Sequence, residues 1–112
     1  MSKRPYKLLL EDILESANKI KLYTSGLTFD EFKNDDKTIV AVVRNIEIIR
    51  EASNRLPDEI QEKYSIIEWK RIIGFRNRIV HEYFGIDYEI VWQIIQEQID
   101  KLIQEITEIL KD

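Results

Sequence analysis

The chain has 112 residues and a formal charge of −4, with no cysteine and a single histidine, His81. This length predicts one domain over residues 1–112, the missing cysteines exclude disulfides and thiolate metal sites, and the acidic balance argues against broad non-specific binding of nucleic acid. Because 44% of the residues are hydrophobic and only three Gly and two Pro are present, the composition predicts an all-α fold.

The N-terminal part of the chain predicts one long helix from Pro5 to about Thr24. Its apolar residues recur at helical spacing: Leu9, Leu10, Ile13, Leu14, Ala17 and Ile20. Acidic residues interrupt the first apolar stretch, so we expect no membrane-spanning segment, no membrane partner and a cytoplasmic location. Gly26 ends this helix, and Thr28 with Glu31 has the form of a capping box that begins a short helical turn.

A second long helix is predicted to begin at Asp35 or Asp36, because either side chain can accept a hydrogen bond from the helix backbone. Its buried face consists of Ile39, Val42, Ile46 and Ile49. The β-branched residues 38–40 could also form a strand, but the chain has no second strand of similar quality to pair with it. We interpret Asp35 and Asp36 as a helix cap rather than a metal-binding pair. Pro57 ends the pattern, and residues 57–64 predict a short helical turn.

The C-terminal half predicts a third helix from Ser65 to Tyr83, stopped by Gly85, and a fourth helix capped by Asp87. The fourth helix carries its apolar residues at Val91, Ile94 or Ile95, Ile99, Leu102, Ile106 and Ile109. Long helices joined by short connections favour an up-and-down helical bundle of four to five helices.

The segment from Lys70 to Gly85 contains the residues best suited to chemistry. If it forms a continuous helix, its apolar residues make one arc with Arg76 in the middle. Asn77 and His81 lie along one edge of this arc, whereas Arg78 points to the opposite, solvated side. A charge within an apolar arc is costly unless it is paired or faces a wet cleft.

Two interpretations of this pattern are open. In the structural one, Arg76 forms a buried ion pair with Glu47 or Glu51, and His81 is an ordinary residue near a helix end. In the functional one, Arg76 binds a phosphate and His81 transfers a proton near neutral pH. Cleavage of RNA without a metal ion needs a base, an acid and a cation at the phosphate. One histidine per chain cannot easily be both acid and base, so such a site favours a homodimer.

The string Arg-Asn-Arg-Ile-Val-His-Glu-Tyr resembles the Arg-x4-His-x-Tyr motif of the HepT-like family, which belongs to the HEPN superfamily. Arg76, His81 and Tyr83 occupy the three motif positions, and Asn77 supplies the polar residue after the arginine. The flanking segments are similar as well, and the resemblance extends over essentially the whole chain. One difference is Arg50, which stands where the family often has glycine.

This resemblance implies a homodimeric helical bundle in which the two Arg/His motifs meet at the subunit interface. It further implies the toxin of a prokaryotic, type VII-like toxin–antitoxin pair, a metal-independent endoribonuclease that needs no cofactor and acts on tRNA or mRNA. The partner would be a minimal nucleotidyltransferase that neutralises the toxin by adding AMP to Tyr83. By this resemblance Arg76 and His81 are catalytic, with Asn77 in support, and Arg78 is the candidate for an RNA phosphate contact.

Two other classes of function are compatible with the sequence. The chain could be a non-catalytic subunit that presents a nucleotide or substrate to a separate nucleotidyltransferase. It could also be a purely structural helical adaptor, for which replacement of Arg76 and His81 would have no consequence.

Overall fold

The computed structural model describes residues 4–81 and 85–111, with only the backbone described at His81. Its α-helices are α1 (Tyr6–Thr24), α2 (Phe29–Lys33), α3 (Asp36–Arg55), α4 (Asp58–Lys63), α5 (Trp69–Ile73), α6 (Phe75–Ile79), α7 (Tyr88–Ile94) and α8 (Asp100–Leu110). A π-helical segment, Ile95–Ile99, joins α7 to α8. Two short strands, β1 (Val80–His81) and β2 (Gly85–Ile86), pair antiparallel. The predicted all-α fold class is therefore confirmed, with this short ladder as an addition.

Side-chain caps begin the helices where the sequence predicts them. The Thr28 hydroxyl accepts a hydrogen bond from the Glu31 N–H at 3.1 Å, and the Glu31 carboxylate accepts one from the Thr28 N–H at 2.9 Å. Asp35, rather than Asp36, caps α3 by accepting hydrogen bonds from the hydroxyl and the backbone N–H of Thr38. These two bonds favour the ionised carboxylate and lower the pKa of Asp35 below its ordinary value.

The core lies between the two longest helices, α1 and α3, and the C-terminal helix, α8, which packs against α1. Its largest fully buried aliphatic side chains are Leu10, Ile13, Ile20, Val42, Ile46, Ile49, Ile94, Ile95, Ile99 and Ile106. The predicted buried face of α3 is confirmed, since all four of its apolar residues are buried. Removal of this apolar surface from water is the main stabilising contribution. No helix among the described residues is both long enough and apolar enough to cross a membrane.

The prediction of one continuous helix from Ser65 to Tyr83 is wrong. The helical segment is divided at Gly74 and ends at Ile79, after which Val80 adopts an extended conformation with φ −113° and ψ 122°. The Ile79 carbonyl accepts a hydrogen bond from the Asp87 N–H at 2.7 Å, and β1 pairs with β2 directly afterwards. These hydrogen bonds belong to a hairpin and take the place of a further helical turn.

The two residues predicted to flank the last helix have different outcomes. Asp87 caps α7 as predicted, because its carboxylate accepts a hydrogen bond from the Ile90 N–H at 3.1 Å. Gly85 does not stop a helix. It begins β2 with φ +74°, a backbone conformation that glycine adopts without the steric cost of a Cβ atom.

Candidate functional site

The segment that carries the sequence motif begins at Gly74, between α5 and α6. The Gly74 N–H donates to the Lys70 carbonyl at 3.0 Å, and the Gly74 carbonyl accepts from the Asn77 N–H at 3.1 Å. A Cβ atom at Gly74 would lie only 3.2 Å from the Lys70 carbonyl oxygen. Glycine therefore permits a tight junction, after which Phe75 is buried in the core and the Asn77 side chain is exposed.

The two arginines of α6 differ in environment, and the prediction that Arg78 points to the solvated side is wrong. Arg76 is exposed, whereas Arg78 is half-buried and its Nη1 is enclosed without a hydrogen-bond partner among the described residues. Only Phe75 and Ile79 of α6 reach the core. The helix then ends, and Val80, another residue of the predicted arc, is 44% exposed. Of the two environments that the sequence left open for Arg76, a buried ion pair or an exposed cleft, the single chain therefore has the exposed one.

The buried ion pair considered for Arg76 is not formed with either carboxylate that the sequence suggested. Glu47 instead accepts two hydrogen bonds from Arg50 of its own helix, at 2.9 and 3.1 Å. Glu51 pairs with Arg55, also of α3, at 3.3 Å. Both carboxylates are thus engaged within α3, and Arg76 has no ion-pair partner in the described part of the chain.

Arg76 nevertheless lies close enough to α3 to act on Glu47 electrostatically. The hydrogen bonds from Arg50 are the main cause that lowers the pKa of the Glu47 carboxyl, and the positive charges of Arg50, Arg76 and Arg44 lower it further, in that order. Desolvation opposes this shift. We call these four residues, Arg44, Glu47, Arg50 and Arg76, the arginine cluster.

Sequence reasoning identified Glu47 only as an ion-pair candidate and missed the cluster as a unit. The part of the cluster within α3 could have been predicted from the sequence. Arg44, Glu47 and Arg50 follow one another at intervals of three residues and therefore lie on neighbouring turns of one helix face. The approach of Arg76 depends on the packing of α6 against α3, and no local pattern reports that contact.

The exposed face of the N-terminal half of α3 lies beside the arginine cluster. This α3 face is open and nearly flat, and it is formed by residues of one helix: Asp36, Lys37, Val40, Ala41 and Arg44. Val40 is 67% exposed and makes the middle of the face apolar. No group of three or more Asp, Glu or His side chains that could hold a metal ion occurs in the described ranges.

The backbone of His81 lies in β1, directly opposite Gly85 of β2. A Cβ atom at Gly85 would meet no described atom within 4 Å. The described residues therefore leave open space beside this glycine. The side chain of His81 and all of Tyr83 lie outside the described residues, so the roles predicted for them remain predictions.

Comparison with known proteins identifies the family. The family described as Ribonuclease HepT-like matches residues 13–109. A protein of Methanocaldococcus jannaschii named as a putative RNase is 43% identical over 112 residues, which cover 100% of this chain and 93% of that protein. A probable ribonuclease HepT of Thermococcus cleftensis is 37% identical over 100 residues, covering 89% of this chain and 91% of that protein. No solved structure matches the chain significantly. The chain therefore belongs to the Ribonuclease HepT-like family.

Proposed function

We propose that this protein is a cytoplasmic, metal-independent endoribonuclease toxin that acts as a homodimer on tRNA or mRNA. Membership of a ribonuclease family supports the reaction class. The observation that carries the assignment of the site is Arg76, which is exposed and has no ion-pair partner among the residues described. A guanidinium in that state can bind a phosphate through two parallel hydrogen bonds.

The proposed reaction is transfer of the phosphoryl group to the neighbouring 2′-oxygen of the RNA. The 2′-oxygen attacks phosphorus while the bond to the 5′-oxygen of the next nucleotide breaks, which yields a 2′,3′-cyclic phosphate and a 5′-hydroxyl. The neutral imidazole of one His81 accepts the 2′-hydroxyl proton, and the imidazolium of the second subunit's His81 donates a proton to the leaving oxygen. Arg76 stabilises the negative charge that develops on the phosphate. Asn77 supports this site, and Arg78 contacts a flanking phosphate.

The homodimer follows from this division of roles, because each chain has a single histidine. Two features of the hairpin and α6 support a subunit contact: Val80 is 44% exposed, and Arg76 lies on a side of α6 that the core does not cover. Sedimentation or light scattering at micromolar concentration should therefore report a dimer. A protein that is entirely monomeric under these conditions would contradict the two-subunit site.

The proposed antitoxin is a minimal nucleotidyltransferase that transfers AMP from ATP to Tyr83. The tyrosine oxygen would attack the α-phosphate, release pyrophosphate and lose its proton, which leaves a negatively charged phosphodiester two residues beyond His81. Such a charge repels the RNA polyanion. Mass spectrometry should locate AMP on the peptide that contains Tyr83, and Tyr83→Phe should remain toxic beside the partner. Modification only at Tyr64 or Tyr88 would contradict this assignment.

Expression of the wild type and of His81→Ala without the antitoxin tests the catalytic assignment. We expect growth arrest and discrete RNA fragments ending in a cyclic phosphate for the wild type, and neither for His81→Ala. Circular dichroism of the variant establishes that its helices are retained. Equal toxicity of the two proteins would remove histidine catalysis. A wild type that causes neither growth arrest nor RNA fragments would favour a non-catalytic binding subunit.

A further inference from the structure

The arginine cluster contains three arginines and one carboxylate, so its positive charge is only partly neutralised by ion pairing. Arg50 donates two hydrogen bonds to the Glu47 carboxylate. Arg44 and Arg76 act on the same carboxylate only at longer range, and both side chains are exposed. The cluster therefore has a net charge of +2 on a protein whose formal charge is −4.

The exposed face of α3 extends this charge away from Arg76. Lys37 and Arg44 are separated by seven residues, which is two helical turns or about 10 Å. Between them lies the apolar middle of the α3 face, formed by Val40 and Ala41. Lys37 is exposed and, like Arg44, forms no ion pair with a described residue. Asp36 contributes a negative charge at the far end of this face, so its five residues carry a net charge of +1. The Asp35 carboxylate, which accepts its hydrogen bonds from Thr38, also interacts electrostatically with Lys37.

We propose that Arg44 is a second phosphate-binding residue for the RNA substrate and that the strand continues from Arg76 along this face of α3 to Lys37. Charge complementarity identifies the occupant, because a polyanion gains from two cations that no described carboxylate pairs. The proposal rests on the proposed ribonuclease function and adds to it a direction in which the substrate lies. It also assigns to α3, a helix outside the sequence motif, a share in RNA binding.

The test measures binding of a single-stranded, mixed-sequence RNA whose 2′-hydroxyl groups are all methylated, so that the proposed attack on phosphorus is blocked. Let K be the association constant for the RNA. Loss of one phosphate contact makes the slope of log K against the logarithm of the salt concentration shallower by about 0.7, which corresponds to about fourfold weaker binding at 0.15 M salt. We expect this result for Arg44→Ala, and about 15-fold weaker binding for the double variant with Lys37→Ala. Both positions are exposed and helical, and alanine is the best helix former, so the variants should fold.

Arg55→Ala is the matched control. It removes the same group from the same helix and changes the net charge equally, but its guanidinium is already paired with Glu51 at 3.3 Å. We expect binding within a factor of two of the wild type, with an unchanged salt dependence.

Three outcomes would overturn the proposal. Equal effects of Arg44→Ala and Arg55→Ala would show a general charge effect, and the ribonuclease function would stand if the wild type still cleaves unmodified RNA. Weaker binding by Arg44→Ala that accompanies dissociation of the dimer would assign this face to the subunit contact. A wild type that neither binds the methylated RNA nor cleaves unmodified RNA would reject the proposed function as well.

Discussion

The two long helices α1 and α3 differ sharply from the segment that carries the motif. They have 19 and 20 residues and bury seven residues each. By contrast, α5 and α6 have five residues each with two buried in each helix, and the strands that follow have two residues each. A long helix gains stability from a continuous apolar face, whereas a short one depends on its neighbours. The molecule thus combines a stable helical platform, formed by α1 and α3, with a short segment on which the side chains of Arg76 and Asn77 are exposed.

The largest expected effect is a difference in the free energy of unfolding that is lost when a side chain is shortened in each of these two regions. Ile49 of α3 is completely buried, whereas Val80 of β1 is 44% exposed. Ile49→Ala should lower the free energy of unfolding by about 2–5 kcal/mol, because it removes buried methyl groups and leaves a cavity. Val80→Ala should cost about 0.5 kcal/mol or less, as is usual for exposed sites. Urea denaturation measures both values, and equal losses would contradict the division into platform and segment.

The second prediction compares the two arginines of α6. Arg76→Ala should lower the rate of RNA cleavage by about 100-fold or more, because a group that stabilises the developing charge is lost. Its melting temperature should stay close to that of the wild type, since Arg76 is exposed and has no ion pair in the described structure. Arg78→Ala should retain cleavage within about tenfold of the wild type. A greater loss of cleavage for Arg78→Ala than for Arg76→Ala would contradict the assignment.

The same contrast explains which features the sequence could predict. The bounds and cap of α3 were predictable because Asp35 and the apolar spacing from Ile39 to Ile49 are local signals repeated over several turns. The hairpin was not, because two-residue strands show no periodicity and Val80 fits either a helix edge or a strand. The environment of Arg76 also could not be predicted, since it depends on where α6 ends and on how α6 packs against α3.

The third prediction uses a matched pair of glycines. Gly26 and Gly85 have φ of +78° and +74°, and a Cβ atom at either position would meet no described atom within 4 Å. Alanine at each should therefore cost a similar amount, about 1–2 kcal/mol, through backbone strain alone. Only Gly85→Ala should also reduce RNA cleavage, because Gly85 pairs with the backbone of His81. Thermal unfolding and a cleavage assay on both variants test this, and equal loss of cleavage would remove the hairpin from the site.

The smallest expected effect concerns the pH dependence of the platform near α6. Because Arg50 lowers the pKa of the Glu47 carboxyl below its ordinary value of 4.5, the folded state binds a proton there less readily than the unfolded state does. The resulting stabilisation is fully present above about pH 4.5 and is lost as the pH falls through the lower pKa of the folded state. Glu47 is partly exposed, so the contribution should be only about 0.2–1 kcal/mol.

Glu47→Gln should accordingly reduce the free energy of unfolding at pH 7 and leave it nearly unchanged at pH 2.5. Urea denaturation at the two pH values measures this difference, with Glu15→Gln, at an exposed pair on α1, as the control. An equal loss for Glu47→Gln at both pH values would show that the carboxylate charge does not stabilise the α3 end of the arginine cluster.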